Sequence, residues 1–418
     1  MTNQTEANGR ANVNRSEAGR RGDGVRSDVF VSVERTERGG LSLDVTSRAE
    51  ALYGESIRKD VTEVVNAFGL GDATVTVEDQ GALPFVLAAR VETALRRLGL
   101  EGDGRPARHP RTYPRTERDR LRRSRLYLPG NEPKFMINAA LHAPDAVILD
   151  LEDSVHPLEK DAARIVVRNA LRCLDFRGCE RMVRINQHEA GLLDLDAVIP
   201  ESPDLILIPK AQTVDDVRQV VERIREIQRG TEQPEPIWIM PILESALGIE
   251  NAFDIARASE NVVALTIGLE DYTADLGVRK TFEGDESLYA RMRLVNASVA
   301  AGLQAIDSVF GNVGDMDALR AWATRSKGMG FEGMGCIHPR QIRPIHESFA
   351  PSEAEIEKSL TIVAAFELAQ ARGLSVVSLG SKMIDPPVVI RAQRLVETAR
   401  RAGLISDESD IPKNAADS

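Results

Sequence analysis

The chain has 418 residues, 42% of them apolar and 28% charged, with a formal net charge of −11 at pH 7. That length supports more than one domain around at least one large core. The acidic balance excludes sequence-independent nucleic-acid binding, which needs clustered Lys and Arg to neutralise phosphates. Cys173, Cys179 and Cys336 are scattered and form no CxxC pair, so neither a disulfide framework nor a thiolate zinc site is expected. They read as small buried side chains in a protein of the reducing cytoplasm. No apolar run approaches the roughly 18 residues needed to span a bilayer, so no membrane partner is expected.

Residues 1–25 lack the apolar stretch of a secretory signal and read as a disordered tail. A small α+β unit follows over residues 26–100. Its "RSDVFVSVERTERGGLSLDVTS" alternates on either side of Gly39 and Gly40, the pattern of a β-hairpin. "SIRKDVTEVVNAFGL" sets Ile57, Val61, Val64, Val65 and Phe68 on one helix face; "ATVTVEDQG" predicts a strand and "ALPFVLAARVETALRRLG" a second helix ending near Gly99. Residues 101–123, rich in Arg, Pro and Gly, read as a solvated inter-domain linker.

Residues 124–373 carry eight short apolar runs: Arg125–Gly130, Ala146–Asp153, Met182–Asn186, Leu205–Lys210, Ile237–Ser245, Val262–Asp271, Gln304–Phe310 and Met334–Pro339. Most are separated by helix-period stretches such as "EKDAARIVVRNALR" and "TVDDVRQVVERIREIQ". The alternation predicts an α/β fold, a (β/α)8 TIM barrel with a C-terminal helical extension. A doubly wound sheet is the alternative, but no GxGxxG fingerprint follows any of these runs. Residues 374–404, with "LSVVSLGSKMIDPP" and a helix over Val388–Ala402, form a C-terminal segment, and 405–418 a second tail.

Three strand-like runs end in acids: "VILDLEDSV" in Asp150, Glu152 and Asp153, "IWIMPILES" in Glu244, and "VVALTIGLED" in Glu270 and Asp271. A barrel of this kind builds its active site at the C-terminal strand ends. Glu152, Asp153, Glu244 and Asp271 should therefore converge there, beside Arg184 and Lys210. Facing carboxylates repel unless a cation sits among them. With oxygen donors and no His or Cys nearby, Mg²⁺ or Mn²⁺ fits best. Glu244 and Asp271 are the expected direct ligands, and Glu152 and Asp153 would orient metal-bound waters. Arg184 would clamp a substrate carboxylate in bidentate fashion. Lys210 pairs with the acids as readily as it would act in chemistry. His338, in "IHPRQ", is the histidine best placed, and a structural hydrogen-bonding role suits it at least as well as catalysis.

From about Arg123 to Ala402 the chain resembles the β subunit of citrate lyase and the citramalyl-CoA and malyl-CoA lyases, within the HpcH/HpaI aldolase family. The motifs are "RSRLYLPGN", "ILDLEDSV", "VRIN", "LILIPK", "ILESALGI", "GLEDYTADLG", "QAIDSVF", "GMGCIHPRQI" and "SLGSKMIDPPVV". The resemblance implies a Mg²⁺-dependent, commonly trimeric lyase acting on a CoA thioester, with Glu244 and Asp271 as metal ligands and Arg184 on the substrate carboxylate. It also implies that Asp385, in a C-terminal lid over residues 374–404, handles a proton in a neighbouring subunit's site. The first domain resembles the small acyl carrier subunit of citrate lyase, in "SDVFVSV" and "VTVEDQGALPFVLAARVETAL". That carrier bears a phosphoribosyl-dephospho-CoA arm on a serine two residues before the Asp. Here Arg26 holds that place and Ser27 follows it. A citrate lyase assembly would also bring a transferase α subunit as partner. The expected reaction is retro-Claisen cleavage of a citryl thioester, with citramalyl-CoA or malyl-CoA cleavage, or a carrier and scaffold role, as alternatives.

Overall fold

The computed structural model describes residues 14–231, 234–371, 377–379 and 382–406. Four strands make a first sheet: β1 (Arg15–Ala18), β2 (Val29–Arg35), β3 (Leu41–Ser47) and β4 (Ala73–Asp79). Their order is β1-β2-β4-β3, with β2 antiparallel to β1 and β4, and β3 parallel to β4. Helix α1 (Glu50–Ala67) makes the crossover that a parallel pair requires, burying Ile57, Val61, Val64 and Val65 as their spacing predicts. Helix α2 (Pro84–Arg97) completes the unit.

Two expectations fail in this region. β2 and β3 are not a hairpin, because β4 lies between them. Gly39 and Gly40 take φ of 118° and 73° and turn the chain, but residues 36–40 are long enough to step over one strand, about 10 Å. Part of the expected tail, Arg15–Ala18, is a strand that covers the open edge of β2. Ser16 there donates to the Ala94 carbonyl at 2.6 Å. Its polar sequence gives no apolar signal, since what fixes it is backbone pairing.

The barrel strands are β5 (Ser124–Pro129), β6 (Ala146–Asp150), β7 (Glu180–Arg184), β8 (Leu205–Ile208), β9 (Trp238–Leu243), β10 (Ala264–Ile267), β11 (Gln304–Asp307) and β12 (Gly333–Cys336). All are parallel to their neighbours and β12 pairs with β5, closing the barrel. Every one of the eight apolar runs supplies one of these strands. Inside lie Ile148, Met182, Leu207, Met240, Ile242 and Ile306, while a larger cluster fills the layer between strands and helices.

α2 explains how the two units join. Phe85, Val86 and Ala89 pack with the barrel cluster, and Leu87, Ala88 and Val91 with the first sheet. A helix buried on both sides must be apolar nearly all round. Its Glu92 is fully buried and paired with Arg168, on the helix Lys160–Cys173, at 2.6 Å.

The expected solvated linker is instead a strap across the N-terminal ends of the strands. Arg111 pairs with Asp204 at 2.6 Å, Arg115 with Glu235 at 2.6 Å, and Arg122 with Glu180 at 2.8 Å, the last pair fully buried. Its arginines were legible as charge, but their carboxylate partners lie far along the chain. At the C-terminus, β13 (Val377–Leu379) and β14 (Lys382–Ile384) form an antiparallel pair before the helix Pro386–Arg401. That helix reaches the same face as the strap, where Arg401 donates to the Asp119 carbonyl at 2.6 Å. Residues 374–376 and 380–381 of the expected lid, residues 372–373 just before it, and 407–418 of the expected tail lie outside the described residues. Among those described, no helix is long and apolar enough to cross a membrane.

Candidate active site

At the C-terminal ends of the strands a cavity of about 450 Å³ is lined by Asp153, Arg184, Glu244 and Asp271, with Arg125, Tyr127 and Thr266 among its deeper residues. Each acid is placed by the residue after a strand or by the first turn of a helix. Glu244 directly follows β9, and Asp271 lies in the first turn of the helix Leu269–Asp275 after β10. Gly268 makes the approach of these two segments possible. A Cβ there would lie 2.3 Å from Glu244 Oε2 and 2.8 Å from Glu244 Cβ.

Arg184 is hydrogen-bonded along one edge only. Its Nε and Nη2 each donate to Asp150 at 2.7 Å, and Nη1 lies 3.0 Å from Glu152 Oε2, an ion pair without an aligned hydrogen bond, and 3.7 Å from Asp153. Burial alone would raise the Asp150 carboxyl, but the Arg184 fork holds it below the usual carboxylate range. The expected bidentate grip on a substrate carboxylate is thus not available from that edge. Asp150 takes the fork, and Nη1 is the edge that faces Glu152 and Asp153.

Lys210 stands among the acids, with Nζ 2.9 Å from Glu152, 3.6 Å from Asp153 and 3.7 Å from Asp271. Its backbone N–H donates to Glu244 Oε1 at 2.8 Å, from a left-handed conformation with φ of 48°. Glu152 is buried, also accepts from Gln187 at 3.0 Å, and is pushed above its ordinary pKa by burial in spite of Arg184 and Lys210. It therefore pairs with the two cations directly. Glu244 has no such partner. Burial, and then the nearby Asp271 charge, raise its carboxyl to about 8.

Of the residues expected here, Glu152, Asp153, Arg184, Glu244 and Asp271 come together. Asp385 does not line the cavity; it caps the helix Pro386–Arg401, accepting from Val388 N at 3.4 Å. Ser27 lies in the first domain, half-buried with φ of 55°, its N–H donating to the Gln80 carbonyl at 3.1 Å. His338 accepts from Arg340 N at 3.1 Å and caps a short turn. Cys179 and Cys336 are buried and Cys173 half-buried, all free thiols.

Two contributors escaped the sequence reading: Asp150 as the Arg184 partner, and Gly268; Lys210 was expected at this mouth as a partner of the acids, and it stands among three of them. Asp150 is the last residue of its strand, so strand-end position alone was a usable signal for it. Among the described residues no group of three or more His, Cys, Asp or Glu is arranged to hold a metal. Among those residues Glu244 has no ion pair, and Asp271, like Asp153, meets a cation only at 3.6 Å or more. Glu244 and Asp271, near enough for one charge to raise the other's carboxyl, give a donor number that suits an ion filling its remaining positions with water and substrate.

Residues 123–339 match the family model described as HpcH/HpaI aldolase/citrate lyase, and residues 22–98 match that of the malonate decarboxylase delta subunit. The chain is 35% identical to citrate lyase subunit beta of Leuconostoc mesenteroides subsp. cremoris, over 70% of this chain and 98% of that one. It is 30% identical to the mitochondrial citramalyl-CoA lyase of Mus musculus, over 66% and 86% of the two chains. Among solved structures it is similar to CitE of Mycobacterium tuberculosis in complex with magnesium, acetoacetate and coenzyme A. That likeness has 28% identity and a TM-score of 0.54, over 69% of this chain and 100% of that one. With the family model matching over half of its length on a closed parallel barrel, the chain belongs to the HpcH/HpaI aldolase/citrate lyase family.

Proposed function

We propose that this lyase cleaves a 3-hydroxy-3-carboxyacyl thioester, citryl-CoA or a carrier-bound citryl group, to oxaloacetate and an acetyl thioester. The observation that carries the reading is the Glu244–Asp271 pair, held over Gly268 beside the Arg184 and Lys210 cations. Its donors fit Mg²⁺: carboxylate oxygens, with no His, Cys or Met among the described residues lining the cavity. When bound, Mg²⁺ supplies Lewis-acid polarisation of the substrate's oxygens.

The remaining work falls to this chain's side chains. Lys210 and the Nη1 edge of Arg184 give positive charge on one side of the cavity, where the substrate's carboxylate and developing negative charge are stabilised. Asp150 and Glu152 fix the orientation of those cations. The substrate hydroxyl gives its proton to water, its oxygen forms the ketone of the 2-oxo acid, and the carbon–carbon bond breaks with its electron pair passing to the thioester as an enolate. Asp385 of a neighbouring subunit then protonates the enolate carbon, a step worth about 10²–10⁴-fold for a positioned acid. An assembly that delivers Asp385 to another chain's cavity, such as a trimer, suits its position away from its own.

Citramalyl-CoA or malyl-CoA cleavage is the second reading, supported by the similarity to the mouse enzyme. The first domain is read as an assembly element. Arg26 occupies the arm-bearing place, and Ser27 takes a φ of 55° that favours glycine. A phosphoribosyl-dephospho-CoA arm on Ser27, serving a citrate lyase assembly with a transferase subunit, is the competing reading. Intact-mass measurement of the purified chain separates the two. For the reaction itself, Glu244→Gln and EDTA should each abolish thioester cleavage while leaving the fold intact by circular dichroism. Substantial turnover in EDTA would contradict the metal assignment.

A further inference from the structure

Among the described residues the four largest fully buried side chains are all arginines: Arg90, Arg122, Arg125 and Arg291. Three are paired with buried carboxylates: Arg90 with Asp28 at 2.8 Å, Arg122 with Glu180 at 2.8 Å, and Arg291 with Asp307 at 2.6 Å. Arg125 is different. Its guanidinium meets Met240 Sδ at 3.0 Å, Thr266 Oγ1 at 2.9 Å and the Asp307 carbonyl at 3.4 Å. Its Nε has no hydrogen-bond partner, and among the described residues no carboxylate forms an ion pair with it. A buried guanidinium with no counter-charge is strongly unfavourable. The chain keeps one inside an otherwise largely apolar barrel interior.

Its place in the fold says what completes it. Arg125 lines the same cavity as Glu244, Asp271 and Arg184. Its hydroxyl partner Thr266 lies two residues before Gly268, the residue that abuts Glu244. Two strand residues rise about 7 Å. The guanidinium therefore forms the floor of the cavity, below the carboxylate pair by roughly the reach of a short carboxylate-bearing arm.

The geometry points to Arg125 as an anion site that takes the distal carboxylate of a substrate whose carbinol end lies at Glu244 and Asp271. The assignment rests on the lyase reading above and narrows its substrate class. A citryl group carries a carboxymethyl arm where a citramalyl group has a methyl and a malyl group a hydrogen. With Tyr127 and Ile242 also lining the cavity, an apolar residue at 125 would suit the methyl. Arginine there suits the carboxylate.

The test is calorimetric titration of the full-length protein, with saturating Mg²⁺, by oxaloacetate and by pyruvate, which differ only in that carboxylate. The native protein should bind oxaloacetate more tightly. Arg125→Met should weaken oxaloacetate by about 10- to 100-fold, the scale of a charge-assisted pairing, and leave pyruvate within about threefold. Should Arg125→Met not fold, Arg125→Lys makes the same comparison, since it keeps the charge but loses the fork and should narrow the preference. A native protein without the preference, equal loss of both acids, or an unchanged preference in the variant overturns the assignment. The two readings fail separately. If no thioester is cleaved but Arg125→Met still erases the preference, the anion site stands and the reaction falls. If native and variant cleave a citryl thioester equally well, the reaction stands and the site falls.

Discussion

Gly268→Ala is the smallest change that should disable the site. The Gly268 backbone, at φ −106° and ψ 94°, is not left-handed, so alanine meets no backbone strain there. The whole penalty comes from Glu244. A Cβ would lie 2.3 Å from Oε2, 2.8 Å from Cβ and 3.3 Å from Cδ of that side chain. Rotating the carboxylate relieves only the first contact, so the side chain itself must move. Glu244 cannot retreat freely, because its Oε1 accepts from the Lys210 N–H at 2.8 Å and it is buried. Overpacking of this kind costs about 1–3 kcal/mol. If the displaced carboxylate is a metal ligand, the same energy appears as a loss of about 5- to 150-fold in Mg²⁺ affinity. The assay is Mg²⁺ titration of metal-stripped native and variant protein, by binding and by activation of turnover. A variant whose Mg²⁺ affinity stays within about twofold of native would refute the reasoning.

The Glu244 carboxyl is raised to about 8 by burial and Asp271, so at pH 7 the metal-free protein holds that proton and Mg²⁺ uptake must release it. Affinity should therefore climb with pH until about 8. In the metal-free protein the same raised pKa contributes stability that is lost as pH rises from the unfolded value towards that pH. Calorimetry in buffers of different ionisation enthalpy reads the proton, and its absence would contradict the carboxylate's assignment. Glu180→Gln leaves Arg122 buried and uncompensated, and should cost about 3–5 kcal/mol in urea denaturation with Mg²⁺ affinity unchanged. A loss below about 1 kcal/mol would show that the strap's anchor is dispensable. Asp385→Asn and Glu244→Gln should each be inactive alone and regain turnover when co-assembled, because each site would draw on two chains. Failure of co-assembled proteins to recover would place Asp385 outside the reaction.

The barrel was legible because each parallel strand, buried on both faces, is a short apolar run, as in "LILI" of Leu205–Ile208. The acids and cations at the strand ends were legible for the same reason, since any residue just past such a run must lie at the mouth. What the sequence could not tell was which charges neutralise which. Asp150 occupies the Arg184 fork and Lys210 sits among three carboxylates, and these pairings join residues from different strands. The β2–β3 hairpin was misread because a Gly–Gly turn fixes a reversal but not which strand fills the space beside it. Arg125 was passed over because one charge in "SRLYLP" looks like an exposed position, whereas β5 turns it inward.

The most direct test offers citryl-CoA, citramalyl-CoA and malyl-CoA to the purified chain, with Mg²⁺ and with EDTA, and identifies the 2-oxo acid released. Mg²⁺-dependent release of oxaloacetate from citryl-CoA, well above release of pyruvate or glyoxylate from the other two, is the predicted result. Cleavage that persists in EDTA, or a clear preference for citramalyl-CoA or malyl-CoA, would contradict it.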